Sequence, residues 1–91
     1  MSAFKSYTSF DYQPIDIVPV IASFDTSGHI TPLYVRLHGI ACKVDEFWIN
    51  TTFIDIIEFN CKVIVGDRLQ LLCLTYYGKE KIWGMPPGRN L

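Results

Sequence analysis

At 91 residues and 10.4 kDa, with 49% hydrophobic, 14% aromatic and 19% charged residues, the chain has the composition of one folded, core-rich domain rather than a disordered segment. Eight basic side chains against nine acidic ones leave a net charge of −1. That disfavours a dedicated binder of double-stranded nucleic acid, which needs a positive excess to displace counterions.

Residues 1–14 alternate polar and aromatic side chains and end at Pro14, which reads as a loose arm carrying Phe4, Tyr7, Phe10 and Tyr12. They hold one lysine and no apolar block, unlike a signal peptide. The apolar stretch 15–24 is interrupted by Asp16 and Pro19 and is too short to span a membrane as a helix. From there the hydrophobic period is two. Val18, Val20, Ala22 and Phe24 share one face of a first strand, and Pro19 suits its edge or beginning. Asp25-Thr26-Ser27-Gly28 is a turn signal, with Asp and Ser able to bind backbone amides and Gly supplying positive φ.

In a second strand Leu33, Val35 and Leu37 point one way and Tyr34, Arg36 and His38 the other. A tight hairpin at His38-Gly39 leads to a third strand, where Ile40, Cys42 and Val44 alternate with Ala41, Lys43 and Asp45. The segment 46–54 is open to two readings. Phe47-Trp48-Ile49 extends the third strand, or Thr51 and Thr52 cap a single helical turn ending near Ile57. Next, Ile57, Phe59, Cys61, Val63 and Val65 line one face of a half-buried strand that turns at Gly66-Asp67. In the strand that follows, Leu69, Leu71 and Cys73 are expected inward; Leu72 and Leu74 break the alternation and imply a bulge or a second buried face. Gly78-Lys79-Glu80 turns the chain into a last strand over 81–85, and Pro86-Pro87-Gly88 ends regular structure.

The expected fold is all-β: a small antiparallel barrel or rolled meander sheet of five to six strands, SH3-like or similar, with a loose N-terminal arm. The arm covers residues 1–14, the barrel domain 15–85 and a C-terminal tail 86–91. The three cysteines, spaced nineteen and twelve residues apart, match neither a disulfide framework nor a zinc knuckle. They read as buried thiols in a reducing cytoplasm. The expectation is a soluble cytoplasmic protein that does not engage a membrane.

Catalytic and metal signatures are weak. Asp25-Thr26-Ser27-Gly28 after an apolar strand, with Ile82-Trp83-Gly84 and Gly88-Arg89-Asn90-Leu91 near the end, faintly resembles the small dimeric aspartic peptidases, in which each chain donates one Asp. Here Ser27 stands where that family places its glycine, and no glycine-rich flap lies mid-chain, so a hairpin turn is the better reading. His29 and His38 have no neighbouring His or Cys at ligand spacing, and neither a metal nor a cofactor is expected.

Binding has more support. Tyr34, Arg36 and His38 alternate on one outward face, and Lys43 and Tyr76 add a base and a ring, so these five form the candidate binding set. Ile17, Ile21, Leu72 and Leu74 form a candidate apolar strip for protein contact or homodimerisation. Near-zero net charge and surplus apolar residues favour a non-enzymatic protein-interaction or self-associating module. Binding of single-stranded nucleic acid is the alternative, and a dimeric aspartic peptidase a remote one.

The strings Pro14-Ile15-Asp16-Ile17, Ile21-Ala22-Ser23-Phe24-Asp25, Gly28-His29-Ile30-Thr31-Pro32-Leu33-Tyr34-Val35-Arg36 and Leu74-Thr75-Tyr76-Tyr77, with Trp83, resemble small β-rich proteins of Gram-positive bacteria that carry no assigned activity. The resemblance implies a bacterial cytoplasmic protein and no particular mechanism.

Overall fold

Seven strands account for most of the chain over residues 15–86, the part that the computed structural model describes. They are β1 (Asp16–Ile17), β2 (Val20–Phe24), β3 (Ile30–Leu37), β4 (Ile40–Phe53), β5 (Ile56–Val65), β6 (Arg68–Tyr77) and β7 (Ile82–Met85). All pair antiparallel in one curled sheet of order β1-β7-β6-β5-β4-β3-β2, a half-barrel, and no helix occurs among the described residues. The expected arm over 1–14 and the tail beyond Pro86 lie outside the described residues.

The count exceeds the expected five to six because Asp16–Ile17, ahead of the expected first strand, forms a short strand of its own. Val18 and Pro19 separate β1, which pairs with β7, from β2, which pairs with β3. Val18 N–H donates to the Trp83 carbonyl at 2.9 Å, and the Pro19 carbonyl accepts from Arg36 N–H at 3.0 Å, so these two residues tie opposite margins of the sheet together. Proline has no amide to donate, which is why it suits this crossing.

Each turn follows from its residues. His38 (φ 51°) and Gly39 (φ 77°) both take positive φ between the paired residues Leu37 and Ile40, the requirement of a type I′ turn. Between β5 and β6, Gly66 alone has positive φ, and Val65 pairs with Arg68. This two-residue connection sets every facing pair that follows: Val63 with Gln70, Cys61 with Leu72, Phe59 with Leu74. Leu72 and Leu74 therefore join the core, while Leu69 and Leu71 turn outward. The expected inward set of β6 is thereby reversed. No bulge is needed, because the ladder from Ile56–Tyr77 to Val65–Arg68 is continuous.

The core lies on the inner face: Val18, Val35, Leu37, Cys42, Val44, Phe59, Cys61, Val63, Leu72, Leu74, Trp83 and Met85. Phe59 stands at its centre, between Phe47 (5.8 Å between ring centroids) and Trp83 (5.5 Å). One bulge does occur between β2 and β3: Ile21 pairs with Tyr34 but Ala22 with Pro32, so Leu33 is the extra residue. It turns partly outward, and Pro32 takes the expected inward position of Leu33.

The segment left open in the sequence is strand to its end. β4 runs for 14 residues because cross-strand pairing with β5 continues to Phe53–Ile56, leaving no room for a helical turn at Thr51-Thr52.

Candidate functional site

Three of the predicted binding residues lie on one face because of strand register. Ile21, Tyr34 and Lys43 are directly paired across β2, β3 and β4, and Arg36 pairs with Ala41 one step along. Their neighbours Val35 and Cys42 point to the core, so this row faces solvent. Pro19, Val20, Ile21, Tyr34, Arg36 and Ala41 line a shallow depression of about 110 Å³ there. Among the described residues no ion pair occupies Arg36 or Lys43. Exposed His38 ends β3 in the adjoining turn.

Tyr76 does not belong with them. It lies half-buried on the inner face, 5.1 Å from Trp83 and 6.2 Å from Phe24 between ring centroids. The proposed apolar strip fails as a unit for the same kind of reason. Ile17 on β1 and Ile21 on β2 are exposed, while Leu72 and Leu74 are core.

A different apolar region stands open. β3 pairs with β4 only over Ile40–Lys43, and β5 takes the other side of β4 from Val44 to Phe53. Among the described residues, no strand pairs with the remaining margin of 45–53. Trp48 (45% exposed) and Ile49 (53%) lie on it, with Phe53 and Ile54 exposed at its end. β4 bulges at Asp45 and Asn50, where its register against β5 shifts. Glu46 is paired with Lys62 at 3.0 Å, and Asn50 Nδ2 donates to Glu58 Oε1 at 3.4 Å. The sequence reading missed this margin. Its signal was length: residues 40–53 run without Gly or Pro, longer than the eight-residue β3 beside them.

No protein family, curated protein or solved structure matches the chain.

The Asp25 carboxylate is taken up by its own turn. Oδ1 accepts from the Ser27 and His29 amides, both at 2.8 Å, and Oδ2 lies 3.1 Å from His29 Nδ1. The His29 amide above all, with the ring and the Ser27 amide adding, holds this carboxyl below the ordinary carboxylate value. Asp25-Thr26-Ser27-Gly28 is thus the Asx-type turn of the β2–β3 hairpin. No group of three His, Cys, Asp or Glu side chains converges as metal ligands among the described residues. The three cysteines are free, and burial, with Cys73 nearby, pushes the Cys61 thiol from 9.0 up to about 12.

Proposed function

We propose that the protein is a non-enzymatic binding module that docks an extended segment of protein along the free margin of β4. The observation that carries this is the pairing pattern of β4: one side is paired with β5 over 44–53 apart from the bulged Asp45 and Asn50, and the other is open beside exposed Trp48 and Ile49. An open strand margin offers a row of amides and carbonyls, and strand addition is a recurrent mode of peptide recognition. Flanking apolar side chains supply the burial that backbone bonds alone do not. The half-barrel is the rigid support, of SH3-like kind, with β1 and β2 spanning its seam. A reducing bacterial cytoplasm suits three cysteines that form no disulfide.

Selection of extended peptides from a displayed random library on the full chain tests the reading. Enriched peptides should alternate apolar and polar residues and lose at least tenfold in affinity on Ile49→Lys, a half-exposed position whose change leaves the core intact. Peptides that bind Ile49→Lys and Trp48→Ser as well as the parent would refute it.

The register of Tyr34, Arg36 and Lys43 beside the small depression favours a second reading, single-stranded nucleic acid stacked on Tyr34. Two cations predict a slope of about −1.4 in log affinity against log salt for single strands. Loss of one stacked base on Tyr34→Ala costs about 1–3 kcal/mol, roughly 5- to 150-fold. An oligothymidylate anisotropy titration reads both, and affinity that is flat with salt rejects this second mode.

A further inference from the structure

The composition of the open margin specifies its own partner. Resting on the reading of β4 as a docking edge, we infer that its occupant is a second copy of this chain, added antiparallel about a two-fold axis through Trp48.

Three observations select this occupant and this register. First, the bulges at Asp45 and Asn50 bracket a regular stretch, 46–49, so the axis falls within it. A two-fold axis between antiparallel strands passes through a residue that faces itself. An axis at Phe47 sets Asp45 opposite Ile49 and Glu46 opposite Trp48. An axis at Ile49 sets Trp48 opposite Asn50 and Phe47 opposite Thr51. Only an axis at Trp48 puts Trp48 against its own copy on one face and Phe47 against Ile49 on the other, so that apolar meets apolar on both.

Second, the charges agree with self-pairing. Asp45 and Glu46 occupy one end of the segment and the other end, 48–54, carries none. In the Trp48 register Asp45 and Glu46 lie against the uncharged residues 50–51 of the other copy, and Lys43, paired with Tyr34 of β3, lies outside the contact, so no like charges oppose. Glu46 is in addition offset by Lys62 at 3.0 Å.

Third, the same bulges keep the ladder short. Bulges and inward acids are devices that stop open strands from pairing without limit. Here they leave a stretch long enough for a closed pair and too short to propagate. The contact is small, below about 1,200 Å² in total, which places the dimer among weak and reversible associations. It joins two half-barrels into one sheet continuous across both copies.

The test uses the full chain, with light scattering over a concentration series and spin labels placed singly on a Cys73→Ser background, the other two cysteines being buried. A concentration-dependent dimer is expected. Labels at Trp48→Cys should report backbones about 5 Å apart. Labels at Lys43→Cys, five residues from the axis in each copy, should report about 30 Å. Ile49→Lys should weaken the dimer at least tenfold, and Ile54→Ser, at the exposed turn outside the paired stretch, should leave it unchanged. A dimer whose two label distances do not follow this order overturns the inference. So does a monomer at every concentration, and hydrogen exchange then separates the two ideas. Rapid exchange in that monomer of the amides of 45–53 that point away from β5 removes self-pairing and leaves the edge open to a different protein. Protection of those same amides shows the edge already covered within one chain and removes the docking reading as well.

Discussion

Leu74→Ala and Leu71→Ala make the sharpest test of the register across the β5–β6 hairpin. The two leucines stand three residues apart on β6 and differ in which face they take. Leu74 is fully enclosed (0% exposed) opposite Phe59, which is enclosed too, whereas Leu71 is 67% exposed opposite Lys62. Truncating an enclosed leucine removes its transfer free energy and leaves a cavity that rigid neighbours fill only in part, at a cost of about 2–5 kcal/mol. Strand backbone on both sides and Phe59 across the ladder limit collapse, so about 3 kcal/mol is expected for Leu74→Ala. A domain of this size is stable by roughly 5–14 kcal/mol in all. The variant should therefore lose a large share of its stability and melt about 12–24 °C lower. Leu71→Ala removes mostly hydrated surface and should stay within about 0.5 kcal/mol. Urea unfolding followed by tryptophan fluorescence measures both, Trp83 reporting the core. Equal costs, or a larger one for Leu71→Ala, would show that β6 is rotated by one residue and that the core assignment is wrong.

Further outcomes follow from the turns and the thiols. Gly39→Ala should cost about 1–2 kcal/mol although nothing lies within 4 Å of the added methyl, because φ is +77° and the penalty is conformational; Gly66→Ala, at +66°, should behave alike, and neutral values in denaturation would remove the positive-φ turns. The Cys61 thiol keeps its proton in the fold up to about 12. The unfolded chain releases that proton near pH 9, so the stabilisation is full below pH 9 and is lost as pH rises towards 12. Tyr77, raised chiefly by burial, acts in the same direction. Unfolding midpoints should fall with pH above 9, more shallowly in Cys61→Ala. Thiol reagents should label Cys73, the least buried cysteine, before Cys61, and prompt labelling of Cys61 in the native protein would contradict its burial.

What could be read from the residues was local. Alternation from Ile57 to Val65 placed Phe59, Cys61 and Val63 inside, and His38-Gly39 marked a hairpin, because both depend on neighbours in the chain. Leu72 and Leu74 were misplaced because face depends on what lies across the strand. Gly66-Asp67, taken strictly as a two-residue turn, would have set the correct pairing. The fate of 46–54 was a tertiary matter: Thr51 and Thr52 accept a cap or a strand equally, and only β5 alongside decides. Tyr76 looked like a contact residue because tyrosine serves both cores and surfaces, and its place beside Trp83 comes from the closing of the β6–β7 hairpin. Tyr34, Arg36 and Lys43 were legible as a group because period two keeps them on one side and a single hairpin brings them into line.

The narrow seam at β1 governs the order of assembly. From β2 to β7 every pairing joins strands adjacent in the chain, so each hairpin closes over a few residues. Asp16 must find Met85 across almost the whole described length. Closing a loop of about seventy residues costs about 1.7 kcal/mol more than closing one of ten, and two residue pairs, the Val18 amide and the burial of the Val18 side chain offset it. That junction is the last to zip during folding and the first to come undone, so the Val18 amide should exchange through a partial opening that leaves the β3–β6 meander intact.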